Sequence, residues 1–88
     1  MALRVRLLAS ATRDLARLDK PDGRRVVGRI SWLASNYDIV RLEPLAGSLT
    51  GLYKLRVGDF PVIYEPLLAE RILLIHAIGH RREVYRKR

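Results

Sequence analysis

The sequence contains no cysteine, which excludes disulfide staples and thiolate metal sites alike. Two histidines in the whole chain leave little from which to build any other transition-metal centre. Long apolar runs are also missing, and no stretch approaches the ~18 apolar residues of a membrane span. Ala9-Ser10-Ala11 has the small-x-small form of a signal cleavage site. The apolar run before it is only Leu7-Leu8, however, with Arg4 and Arg6 upstream, whereas a signal needs about 7 to 15 apolar residues. The expectation is a cytoplasmic protein without a membrane partner. Acidic residues are scarce too: nine Asp plus Glu face seventeen Lys plus Arg, for a formal charge of +8 on 88 residues. Charge of one sign at that density points toward an anionic partner: nucleic acid, an acidic protein or an anionic membrane.

What is present suffices for one modest core. Residues 1–88 are expected to form a single domain, since domains run from roughly 50 residues upward. Leu3, Val5 and Leu7 alternate with Arg4 and Arg6, the period of a half-buried strand. Ser10 or Thr12 is placed to cap a helix bearing Ala11, Leu15 and Leu18 on one face. Pro21 suits the first turn of a second helix, which carries Val26, Val27, Ile30, Leu33, Ala34 and Tyr37 at spacings of three and four. Arg13, Arg17, Arg24, Arg25 and Arg29 are left for the outside of this αα-hairpin, and Trp32 is expected to pack.

From Asn36 to Gly51 the periodicity disappears, and Pro44, Gly47 and Gly51 punctuate a long connection. Period two then returns over Leu52–Val57 and Phe60–Glu65, separated by Gly58-Asp59, a two-residue hairpin turn with glycine first. Arg71–Ile78 is almost wholly apolar and suits a central strand buried on both faces. The predicted fold class is α+β. An N-terminal strand and an αα-hairpin lead into a three-stranded antiparallel meander, forming one mostly antiparallel sheet with helices on one face.

A two-residue turn pairs Val57 with Phe60, Leu55 with Val62 and Tyr53 with Tyr64, all toward the helices. Lys54, Arg56, Pro61 and Ile63 then take the other face, with Arg56 opposite Pro61. Lys54 and Arg56 project side by side, an arrangement a protein tolerates where an anion is to be bound. Arg81, Arg82 and Tyr85 would join them if the tail folds back along the open face. Lone surface cations are the common alternative. His76 is expected to be a hydrogen-bonded core residue, and no histidine–carboxylate pair is evident.

Gly51-Leu52-Tyr53-Lys54-Leu55-Arg56-Val57-Gly58-Asp59-Phe60, Val62-Ile63-Tyr64-Glu65 and Gly79-His80-Arg81-Arg82-Glu83-Val84-Tyr85 together resemble the RelE/ParE toxin superfamily. Leu42-Glu43-Pro44-Leu45-Ala46-Gly47 resembles the segment that these toxins place before the first hairpin strand. The closing Gly-His-Arg-Arg-Glu-Val-Tyr looks RelE-like.

The resemblance implies a RelE-like microbial RNase fold and a toxin that cleaves messenger RNA in the ribosomal A site, without metal or other cofactor. It implies an acidic RelB-like antitoxin as partner, with operator DNA reached only through that antitoxin. Inhibition of DNA gyrase in the ParE manner is the alternative, and an attenuated toxin acting mainly as antitoxin partner is another. By matching motif, Lys54, Arg56, Arg81 and Tyr85 correspond to catalytic positions, and His80, Arg82, Arg86 and Lys87 would contact RNA. RelE-like toxins usually carry arginine after the Gly-Asp-aromatic turn, where this chain has Pro61.

The chemistry implied is attack of a ribose 2′-hydroxyl on the adjacent phosphorus. It needs a base, an acid and cations for the developing charge. Lysine or tyrosine fits proton transfer, because arginine keeps its proton and suits the phosphate clamp.

Overall fold

The computed structural model describes residues 2–45 and 51–79. Its elements follow in the order β1 (Arg4–Leu7), α1 (Ala9–Ala16), α2 (Lys20–Ser35), a 3-10 turn (Tyr37–Ile39), β2 (Tyr53–Val57), β3 (Phe60–Leu67) and β4 (Ile72–Ile78). The strands form one sheet in the order β1-β4-β3-β2. The expected α+β class holds, and the sheet is antiparallel except that β1 runs parallel to β4.

Gly58 sets the hairpin register. Its φ of +60° lies where side chains are strained, at the first central position of the turn, as a type II′ turn requires. Val57↔Phe60, Leu55↔Val62 and Tyr53↔Tyr64 pair as the turn arithmetic requires. Val57, Phe60, Val62 and Tyr64 are buried, and Tyr53 stacks on Tyr64 with ring centroids 5.8 Å apart. From the helices, Ala11, Val26, Ile30, Leu33 and Ala34 meet this face, together with Leu73, Ile75 and Ile78 of β4. Lys54↔Ile63 and Arg56↔Pro61 lie on the opposite face.

Several expectations need correction. β4 is buried on the helix side alone: Leu73, Ile75 and Ile78 are in the core while Leu74, His76 and Ala77 are half-buried, because helices cover only one face. Val27 and Trp32 are 45% and 43% exposed, since the α2 stripe that reaches the core is Val26, Ile30, Leu33 and Ala34. Trp32 instead lies under the Arg29 guanidinium, 4.9 Å from the ring centroid, a cation–π contact. Val5 of β1 is exposed, leaving Leu3, just before the strand, as the buried anchor.

The helix N-cap is Leu8 rather than Ser10 or Thr12. Ser10 is otherwise engaged: its hydroxyl donates to the His76 carbonyl at 2.7 Å, while Asp14 Oδ2 accepts the Ile78 N–H at 2.9 Å. Since β1 ends at Leu7, opposite Ile75, two α1 side chains take up ladder groups of β4 that no strand covers.

Removing an acceptor from a buried N–H costs about 1–3 kcal/mol. Asp14→Ala should therefore lower the unfolding free energy in urea by that order, whereas Arg13→Ala, on the exposed side of α1, should change it little.

Burial, with smaller contributions from the neighbouring phenols of Tyr37 and Tyr53 and from Glu43, pushes the Tyr64 phenol up to about 12 from its ordinary 10.0. A folded-state value above the unfolded one gives stability that is complete below pH 10 and lost as pH rises toward 12. Alkaline denaturation should follow that course, with a shallower fall in Tyr64→Phe.

Candidate functional site

The open face of β2 presents Lys54 and Arg56 two residues apart, as strand periodicity demands. The outer edge of β2 is lined by the segment that precedes it. Lys54 N–H donates to the Glu43 carbonyl at 2.9 Å, Leu45 N–H donates to the Leu52 carbonyl at 3.0 Å, and Pro44 bridges to Tyr53. This seats Glu43 beside the basic pair. Its carboxylate lies 3.9 Å from Lys54 Nζ and 4.0 Å from Arg56 Nε.

Glu43 is thus an internal anion for these cations, which the sequence pattern does not reveal. Glu43 sits in the aperiodic connection, where no pattern assigns a side chain to a face. The contacts are long and the Glu43 and Arg56 side chains are 53% and 65% exposed, so water competes freely. A phosphate offers more charge and better geometry for a guanidinium than such a pair, and can replace it.

Pro61 sits on this face opposite Arg56. Proline needs a strand position whose N–H the ladder does not use, such as an edge or a bulge, and Pro61 occupies such a position inside the sheet, since β3 lies between β2 and β4. The physical reason lies in the ladder. In a two-residue hairpin the pair flanking the turn exchanges both ladder bonds and the next pair exchanges none, so β2 asks no N–H of Pro61. On the other side, pairing with β4 begins at Val62↔Ile78, and Pro61 there accepts one bond, from Gly79 N–H at 2.9 Å. Gly79, the last described residue of the chain, is thus tied to the Arg56–Pro61 row. His80, Arg81, Arg82, Tyr85, Arg86 and Lys87 lie outside the described residues.

His76 corrects another expectation. It is not in the core but on the open side, with its side chain 29% exposed and Nε2 2.9 Å from Glu65 Oε1. A histidine–carboxylate pair therefore exists. It was missed because the apolar run of β4 suggested burial on both faces. Among the described residues, no group of three His, Cys, Asp or Glu side chains is placed to hold a metal ion, and no helix is long and apolar enough to cross a membrane.

The family model described as "ParE toxin of type II toxin-antitoxin system" matches residues 5–85. The chain belongs to the RelE/ParE toxin superfamily. No protein of curated function matches the toxin significantly. Among solved structures, it is similar to a chain of an archaeal RelE–RelB complex from Pyrococcus horikoshii, with 26% identity, a TM-score of 0.71 and coverage of 92% of this chain and 97% of that one. A second is a chain of the RelBE2 toxin–antitoxin complex of Mycobacterium tuberculosis, with 24% identity, a TM-score of 0.71 and coverage of 92% and 100%. The isolated RelE toxin of E. coli matches at 15% identity with a TM-score of 0.73, covering 98% of this chain and 94% of that one.

Exposed pairs of this kind contribute about 0–1 kcal/mol to folding. Glu43→Gln should leave the urea midpoint of the toxin nearly unchanged; a large loss would make the cluster a structural brace instead of a binding site.

Proposed function

We propose that the toxin is a ribosome-dependent endoribonuclease that cleaves messenger RNA in the A site and thereby inhibits translation. The observation that carries this is the pair Lys54 and Arg56, side by side on a sheet face the helices leave open and, among the described residues, balanced by one loosely held carboxylate. The half-buried apolar surface of Ile63 and Leu74 on the same face gives a nucleobase a place to rest. Arg56, with Arg81 from the tail, stabilises the charge that grows on phosphorus as the 2′-oxygen attacks, and Lys54 or Tyr85 moves a proton. His80, Arg82, Arg86 and Lys87 hold the flanking backbone. The face has few groups with which to orient a free RNA. The ribosome supplies that order, the entropic part of the catalysis.

An acidic RelB-like antitoxin neutralises the toxin, and operator DNA is engaged through that antitoxin. The charge of +8 and the toxin–antitoxin complexes among similar structures support this partner. Co-expression with the neighbouring acidic reading frame should yield a copurifying complex and restore growth. A harmless isolated toxin with no such partner would contradict it.

The matching family model bears the ParE name, so gyrase inhibition is the reading to test against. Primer extension on ribosome-bound message should show cuts with the wild-type toxin, and a supercoiling assay with gyrase should show no effect. Lys54→Ala should slow cleavage about 10²- to 10⁴-fold with folding intact. Restoring the family's usual arginine with Pro61→Arg adds a preorganised donor opposite Arg56. It should raise cleavage by about 10²- to 10³-fold, the amount one such donor contributes in comparable enzymes. An unaccelerated Pro61→Arg toxin would mean that another residue already fills that role.

A further inference from the structure

The open face carries a second polar pair, which the roles assigned above leave unused. His76 is the extra residue in the β4 ladder: Ile63 pairs with Ala77 and Tyr64 with Ile75, so one position between them has no partner in β3. Bulges of this kind re-aim a side chain and concentrate beside functional sites. This one is held from three directions. Ser10 of α1 donates to the His76 carbonyl, Asp14 of α1 accepts from Ile78 N–H, and Glu65 of β3 meets the imidazole itself at 2.9 Å. Two elements thus fix a ring that adds nothing to the core.

The Glu65 contact assigns the tautomer. A carboxylate beside Nε2 takes the single ring proton of a neutral imidazole, leaving Nδ1 as a bare acceptor with no partner among the described residues. A carboxylate that orients an imidazole in this way is a recurrent device for presenting a proton acceptor. Imidazole also suits that task near neutral pH better than an amine does.

Register gives the distance to the phosphate site. Lys54, Ile63 and Ala77 form one row across the open face, which puts His76 two strands from Lys54, about 10 Å between backbones. Lys54 Nζ rests beside Glu43 on the outer side of β2; a phosphate that displaces this carboxylate draws the long side chain inward, across a gap that a ribose and its phosphate fill over the floor made by Ile63.

We propose that His76, positioned by Glu65, is the catalytic base that accepts the ribose 2′-hydroxyl proton. The proposal rests on the endoribonuclease reading. The 2′-oxygen–phosphorus bond forms as the phosphorus–5′-oxygen bond breaks, the 2′-hydroxyl proton passes to Nδ1, and the departing 5′-oxygen takes a proton from the Lys54 ammonium. The products are a cyclic phosphate and a 5′-hydroxyl. No oxidant or water is consumed, and return of the proton from His76 to Lys54 through solvent resets the site. The division of labour leaves Lys54 the acid and frees it from acting as base.

The test is single-turnover cleavage of ribosome-bound messenger RNA by the full chain. His76→Ala should slow it by about 10²- to 10⁴-fold. His76→Gln, which keeps a polar group for Glu65 but has no basic nitrogen, should fall as far, so the result does not depend on the fold of one variant. Glu65→Gln should cost less and add nothing in the His76→Ala background, as expected for groups acting as one unit. Nitrogen NMR of the His76 ring should show one tautomer, protonated at Nε2, in the wild type, and a mixture in Glu65→Gln. Wild-type rates in both His76 variants, while Lys54→Ala still abolishes cleavage, would overturn the dyad and leave the endoribonuclease standing. No cleavage by the wild-type chain would overturn both.

Discussion

The parity of the β2–β3 hairpin is the constraint on which the rest of the molecule depends. Side chains alternate along a strand, so a shift of one residue would exchange every core position with every open-face position. Gly58, at φ +60°, allows the two-residue turn that holds the register. That register sends Val57, Phe60, Val62 and Tyr64 to the helices and leaves Lys54 and Arg56 on the other side. Core and site are thus two consequences of one turn. The helices need the apolar face, and covering only that face keeps the charged one accessible.

The second organising feature is the junction between α1 and β4. β1 is too short to pair the whole of β4, and a strand left without a neighbour exposes unpaired N–H and C=O groups. Ser10 and Asp14 meet those groups at His76 and Ile78. The same contacts hold the bulge that turns His76 toward the open face, where Glu65 receives it. A device that completes the sheet therefore also positions the one histidine among the described residues.

Much of this was legible in the sequence, wherever a periodic rule applied. Alternation located β1, β2 and β3, the turn dipeptide gave the hairpin pairing residue for residue, and Pro21 marked the start of α2. The rules failed where a position is decided by contacts distant in sequence. Nothing local says that β1 runs parallel to β4, that Ser10 turns from capping α1 to binding β4, or that Glu43 returns to the edge of β2. An apolar run likewise cannot report a bulge, so His76 read as core. Pro61 was placed on the correct face and at a position that donates no ladder bond; the sheet supplies that position in its interior as well as at an edge or bulge, because neither neighbouring strand takes a bond from its nitrogen there.

On the proposed reading the toxin acts through its open face, while the exposed cations of the helix surface serve other ends. This can be tested directly by comparing two charge-matched double variants in the same assay of ribosome-dependent cleavage. One removes Lys54 and Arg56 from the sheet, and the other removes the exposed Arg13 and Arg17 from the helix region. Each loses two positive charges, so any general attraction to the ribosome falls equally. Cleavage should collapse in the sheet variant and persist in the helix variant. Equal losses in both, or a loss confined to the helix variant, would contradict it.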